Sequence, residues 1–337
     1  MNQALTSKKS IVTTDLGMDL DTYKNKMKEY TCALIGLGAI SSKHIRVLNS
    51  LNCKIKGVVI RSNRKINLEE FGIEKKYSSI EEISKDDVDF IMILVSAENN
   101  LEVLKKYIPL KKPIFIEKPV AFNSKDLDEI LSNYHNASKP LMIGMNRRFY
   151  SVFHKGLEYL NNNNKKLESI LIEAPERFLD INKSKFSQKI KDNWMFANSI
   201  HCIDLLRFFS GDIKEIMVNS NSKKNQYHAI GKSVNGINFT YISNWRSPGT
   251  WKITLYSDEI RIEFNPLEIG KIIEKGSEKE IIPDTIDIEY KSGFYNQMKY
   301  FLNCVELKKE PEWPASNLTD HKKTLELIEK IYLENKK

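Results

Sequence analysis

Cysteine is scarce in this sequence. Among 337 residues there are four, Cys32, Cys53, Cys202 and Cys304, far apart and without a Cys-x-x-Cys pair. That pattern excludes a zinc-finger set or a disulfide framework and fits thiols packed as small core residues in a reducing cytosol. Long apolar runs are missing too. Phe90 to Val95 is the longest, far below the roughly 20 residues that span a bilayer as a helix, so no membrane partner and a cytoplasmic location are expected. Charge of one sign is not concentrated. Lys and Arg total 52 against 44 acids, a net +8, but the lysines come as scattered pairs such as Lys75-Lys76, Lys111-Lys112 and Lys223-Lys224. These read as solvated surface, and no nucleic-acid partner is expected. Internal repeats are absent.

Residues 1–26 have no sustained apolar period, no apolar signal core and no arginine bias, and they read as a flexible extension. Met27 precedes the first strand, so a start of the reading frame nearer to it is the alternative. From Tyr30 short apolar runs alternate with amphipathic stretches. Strands are expected at 31–35, 55–60, 89–95, 114–116 and 141–145, with helices at 42–51, 101–107 and 124–136. That alternation predicts a parallel sheet covered on both faces over residues 27–145, a dinucleotide-binding half. Residues 146–337 read differently. A helix at 151–160 precedes strands at 167–173, 216–219, 237–245, 251–257 and 259–264. Asn235-Gly236 and Ser257-Asp258 supply hairpin turns, which predicts a mostly antiparallel sheet closed by helices at 293–307 and 318–335.

Chemistry-bearing residues sit at the ends of these elements. Thr31–Ile35 runs into Gly36-Leu37-Gly38-Ala39-Ile40-Ser41, a glycine turn opening a helix whose free amides favour a phosphate. Ser41 stands where the dinucleotide fingerprint has its third glycine. After the second strand, Arg61, Ser62 and Arg64 replace the acid that binds a ribose 2′-hydroxyl. They favour NADP over NAD if they face the ligand, and are surface residues otherwise. The strand 114–116 ends in Glu117-Lys118-Pro119. There an ammonium can stabilise an alkoxide, or Glu117 and Lys118 can be a plain surface pair. Asn198 or Ser199 reads as the N-cap of a helix with His201 in its first turn and Asp204 close to the same face. The helix dipole would keep His201 neutral and Asp204 would orient it; a buried core histidine is the alternative.

Taken together, Gly36-Leu37-Gly38 with His44, Glu117-Lys118-Pro119, Asn146-Arg147-Arg148-Phe149, the His201 helix, Ser243-Asn244-Trp245 and Gly293-Phe294-Tyr295-Asn296-Gln297 resemble the Gfo/Idh/MocA oxidoreductases in order and spacing. The resemblance implies an α/β protein: a Rossmann domain followed by an α/β domain whose open sheet forms homo-oligomers. It implies hydride transfer between NAD or NADP and a sugar, sugar acid or nucleotide sugar, with surface-glycan synthesis as a setting. Lys118, His201 and Asp204 are then the expected catalytic residues. Gly36, Gly38, Ala39, Ile40, Arg61, Ser62, Ser96 and Glu117 are expected at the cofactor, and Arg147, Arg148, Trp194 and Asn198 at the substrate. One position departs from the family: Ala197 stands where many members carry an aspartate. A cofactor-sensing regulator of the same fold without catalysis is the second reading.

Overall fold

The computed structural model describes residues 28–60, 66–134 and 139–333. The extension expected over residues 1–26 lies outside them, as do Arg61, Ser62 and Arg64. Strands β1 (Tyr30–Ile35), β2 (Cys53–Val59), β3 (Phe90–Ile93), β4 (Ile114–Ile116) and β5 (Leu141–Ile143) form a parallel sheet in the order β2-β1-β3-β4-β5. Between them lie helices α1 (Ser41–Ser50), α2 (Ile80–Lys85), α3 (Asn100–Tyr107) and α4 (Asp128–Tyr134). Every residue of β3, β4 and β5 is buried, as strands covered on both faces require. The strand order reverses direction at β1 and β3. In an open parallel sheet, the crevice beyond the carboxyl ends of such a pair is where a ligand sits.

The second half holds β6 (Leu167–Glu173), β7 (Ile213–Val218), β8 (Gln226–Ser233), β9 (Asn238–Asn244), β10 (Lys252–Ser257), β11 (Ile260–Phe264), β12 (Gly270–Glu274) and β13 (Ser277–Ile281). They run in the order β13-β12-β11-β10-β6-β9-β8-β7. All neighbours are antiparallel except β6 and β9. Helices α5 (Ser151–Asn162), α6 (Phe178–Lys183), α7 (Gln188–Asp192), α8 (Ile200–Ser210), α9 (Thr285–Glu289), α10 (Phe294–Leu307) and α11 (Leu318–Leu333) complete the chain. Alternate residues such as Ile170, Ile172, Phe239, Tyr241, Ile253 and Leu255 point into one core. The other face is open. Met217 and Ile230, directly opposite each other across β7 and β8, are 69% and 51% exposed.

Three strands lie outside the sequence expectation. β8 carries Gly231, which weakens a strand pattern; a Cβ there would come within 2.0 Å of the Glu215 carbonyl. β13 is an edge strand with four exposed residues in five, and charge is what protects an edge. β12 is short and lies between them. The expected division near residue 145 falls between the two sheets, but the packing crosses it. Phe294, Met298, Phe301 and Leu302 of α10 cover Leu34, Phe90, Met92 and Phe115 of the parallel sheet. The Ile143 amide also donates to the Ser316 carbonyl at 2.8 Å, just before α11. The last two helices therefore tie both halves together beneath the crevice.

Candidate active site

β1 ends in a turn built for close approach. Gly36 has φ +96°, and a Cβ on it would stand 2.9 Å from both the Leu94 carbonyl and the Val95 side chain. Gly38 is exposed, and a Cβ there would meet nothing within 4 Å. The space above it is thus open to a ligand. Ser41, fully buried, takes the Gly38 amide on its hydroxyl at 3.0 Å, so the substituted third glycine position stabilises the turn. α1 follows with no side-chain cap and no acid in its first turn, so its positive dipole end faces the turn unopposed. Ala39 and Ile40 lie on this rim, and Ser96 lies exposed just beyond β3. This turn fits a dinucleotide.

The strap after β4 is clamped from three helices. Glu117 meets His44 Nε2 of α1 at 2.7 Å. Burial opposes its charge, but His44 and the nearby Lys118 and Lys291 ammoniums hold its carboxyl below the usual range. Asn100 of α3 donates to the carbonyls of Glu117 and Pro119 at 2.8 and 2.7 Å. His321 of α11 accepts the Val120 amide at 3.2 Å. The Lys118-Pro119 bond is cis. Lys118 reaches the second half, where Nζ donates to the Ala197 carbonyl at 2.6 Å. Burial, with the Arg147 and Lys291 cations, lowers its pKa to about 8.

His201 arrives by a different route from the one its sequence context predicts. Ser199 stands at the N-cap of α8, but neither it nor Asn198 caps the helix with its side chain, and a π-helical turn over Met195–Ser199 leads the chain into it. Both side chains turn instead to Glu176, just past β6. Its carboxylate collects Ser199 Oγ at 2.7 Å, Trp194 Nε1 at 2.9 Å and Asn198 Nδ2 at 3.1 Å. Burial pushes the Glu176 carboxyl up against these donors. His201 is 6% exposed, and its Nδ1 is sealed without a partner among the described residues. Burial first, then the Lys118, Arg147 and Lys291 cations, hold its pKa well below the ordinary histidine value. His201 is the second residue of α8, so the helix start acts in the same direction as these surroundings.

Asp204 does not orient His201. Its oxygens take the Arg148 guanidinium at 2.5 and 2.7 Å and the Thr324 hydroxyl at 3.1 Å. Arg148 also meets Asp320 at 2.7 Å and is 2% exposed, so it is unavailable to a substrate. Contrary to the sequence expectation, which placed Asp204 with His201 and Arg148 at the substrate, the two residues bolt α8 to α11. Arg147 next to it behaves differently. Half-buried, it lays its guanidinium 4.2 Å over the Trp251 ring and makes no ion pair with a described residue. Arg147, Glu176, Arg177, Trp194, Asn198 and Trp251 line a cavity of about 570 Å³, a size that suits a small-molecule ligand. The Trp251 ring lies 6.3 Å from that of His201, so one wall of this cavity is close to His201. Glu176, Trp251 and Lys291 lie outside the sequence expectation; Glu176 stands three residues beyond β6, where no local pattern marks it. Among the described residues no three His, Cys, Asp or Glu side chains converge as metal ligands.

Fold and site together define a Rossmann-type sheet next to a second sheet, with the half-buried Lys118 reaching toward the turn before the buried His201. Residues 30–145 match the Gfo/Idh/MocA family, described as "Oxidoreductase family, NAD-binding Rossmann fold". The match covers the dinucleotide-binding part of this chain. It is 31% identical over 133 residues to the myo-inositol 2-dehydrogenase of Thermotoga maritima, a match covering 38% of this chain and 40% of that protein. The chain thus aligns with about two fifths of the length of the curated relatives it matches. Solved structures extend the likeness in fold. An oxidoreductase from Agrobacterium radiobacter in complex with NAD+, L-tartaric acid and magnesium covers 90% of this chain and 96% of its own, with TM-score 0.72 and 16% identity. A putative NADPH-dependent oxidoreductase from Desulfitobacterium hafniense covers 89% and 94%, with TM-score 0.74 and 14% identity. No helix among the described residues is long and apolar enough to cross a membrane.

Proposed function

We propose that this chain is an NAD(P)-dependent dehydrogenase or reductase acting on a hydroxyl or keto group of a sugar-type substrate. The observation that carries the reading is the contact of Lys118 Nζ with the Ala197 carbonyl, on the turn that delivers His201. It brings an ammonium and a neutral imidazole from opposite halves to one side of the nucleotide crevice. The bound nicotinamide supplies the hydride acceptor or donor. His201, with Nδ1 sealed, has Nε2 left to take the hydroxyl proton, and burial among cations makes a lasting imidazolium unfavourable. Lys118 carries its charge up to about pH 8 and stabilises the oxyanion that develops on the same oxygen. NADP is the proposed partner of choice, because no acid follows β2 and Arg61 and Arg64 do. The setting is cytosolic, in keeping with four free, buried cysteines. Copies of the chain associate through the open sheet face that carries Met217 and Ile230.

Sugars, cyclitols and nucleotide sugars screened for nicotinamide absorbance change, with NAD and NADP in parallel, test the reading. Lys118→Ala and His201→Ala are each expected to lower kcat by about 100-fold or more. Near-normal turnover in both variants would overturn the mechanism.

A further inference from the structure

His44 takes no part in the chemistry assigned to Lys118 and His201, yet its ring is fully buried with one polar partner among the described residues. Nε2 lies 2.7 Å from Glu117 Oε1, while Nδ1 is sealed without a partner. The ring stands edge-on to Phe115 of β4 at 5.3 Å between centroids and tilted over Phe294 of α10 at 4.6 Å. Glu117 is held as closely. A Cβ on Gly144, just past β5, would come within 3.3 Å of the same Glu117 oxygen. Burial opposes the charge on Glu117, and His44 is the largest of the influences that restore it, ahead of Lys118 and Lys291. An ionised carboxylate only accepts hydrogen bonds, so Nε2 is the donor.

Glu117 is the residue before Lys118. Asn100 pins the backbone on either side of the lysine through the Glu117 and Pro119 carbonyls. Burial opposes the Lys118 ammonium most, and Arg147 and Lys291 add to that; Glu117 and, more weakly, Glu176 favour it. His201 and His321 also lie in its field, and burial keeps both neutral. Glu117 is thus the main electrostatic support of the lysine, and His44 is the main support of Glu117. We propose that His44 is a positioning residue: through Glu117 it keeps a carboxylate charge fixed beside the Lys118 ammonium, tying the lysine to the helix that follows the glycine turn. The assignment rests on the reading of Lys118 as the group that stabilises the oxyanion.

Competitive labelling of the full-length protein with isotopic acetic anhydride across a pH series, read by mass spectrometry of the Lys118 peptide, follows this amine without substrate or turnover. The parent is expected to titrate at about pH 8. Glu117→Gln removes the carboxylate charge, so the midpoint should fall by about one pH unit or more. His44→Phe should lower it in the same direction. His44→Gln, whose amide donates from the Nε2 position, should restore most of the difference. Leu51→Ala opens a hole beneath the far end of α1 without touching Glu117; it should lower Tm and leave the midpoint unchanged. On an identified substrate, the alkaline limb of kcat/KM should move down in pH with the labelling midpoint. If His44→Phe does not fold, His44→Asn stands in, because its shorter amide does not reach Glu117. An unchanged midpoint in Glu117→Gln or in His44→Phe, or an equal fall in Leu51→Ala, overturns the assignment and leaves His44 a folding brace. Midpoints as expected, with no turnover of any sugar-type substrate, support His44 and refute hydride transfer alone.

Discussion

Asp204 offers the sharpest test of how the site is built, because its two possible roles predict opposite results. As the partner of Arg148 it neutralises a guanidinium that is 2% exposed, through two hydrogen bonds of 2.5 and 2.7 Å. Removing one member of a buried pair typically costs about 3–5 kcal/mol, since the survivor stays buried with its charge uncompensated. Asp320 still touches Arg148 at 2.7 Å, which places Asp204→Ala at the lower end, about 3 kcal/mol. With an unfolding entropy of about 2 cal/mol/K per residue, the whole chain loses roughly 4 °C of Tm. Asp204→Asn should lose less, since the amide oxygen still accepts one guanidinium N–H. Thermal melts followed by circular dichroism give the shift, and turnover against pH gives the control. If Asp204 instead oriented His201, Asp204→Asn would change the pH dependence of kcat and leave Tm within 1 °C of the parent. That outcome would refute the scaffold assignment.

Lys118 sets a second expectation. Its ammonium is present below about pH 8 and is lost as pH rises through that value, so kcat/KM should fall on the alkaline side. Lys118→Arg should move that limb upward in a stopped-assay profile, because a guanidinium keeps its proton. The glycine turn separates folding from binding. Gly38→Ala meets no protein atom and should keep the parental Tm while raising the cofactor Kd about tenfold or more, read by fluorescence titration. Gly36→Ala, strained at φ +96° and crowded by Leu94 and Val95, should lose about 1–3 kcal/mol of stability as well. Asp320 sets the acid limit. Burial opposes its charge, but Arg148 and Arg207 hold its folded pKa at about 2. Its contribution is full above the unfolded value of about 4 and is lost as pH falls toward 2, roughly 2–2.5 kcal/mol, measurable as urea midpoints across that range. Ile230→Lys should shift an assembly toward monomer in light scattering while leaving cofactor affinity unchanged.

What the sequence made legible follows from the range over which residues speak to each other. The alternation of apolar runs and amphipathic helices is local, and it located β1 to β5 within a few residues of their ends. The Gly36–Gly38 turn and the Glu117-Lys118-Pro119 strap are local too, since each is a strand end followed by a fixed backbone geometry. The His201 environment is not. Three residues separate His201 from Asp204, a spacing that puts them near one face of a helix, and the sequence has no term for a competing partner 56 positions earlier. Arg148 wins because a buried guanidinium needs a carboxylate more than a neutral imidazole does. The same competition explains Asn198 and Ser199. Both are favourable N-caps in isolation, but Glu176, more than twenty residues earlier in the chain, offers them a charged acceptor, and a charge-assisted hydrogen bond outweighs a neutral cap. The π-helical turn is the backbone's accommodation to that choice: it carries Trp194, Asn198 and Ser199 toward one carboxylate while leaving the Ala197 carbonyl facing Lys118. Position 197, alanine here, thus contributes a backbone oxygen to Lys118.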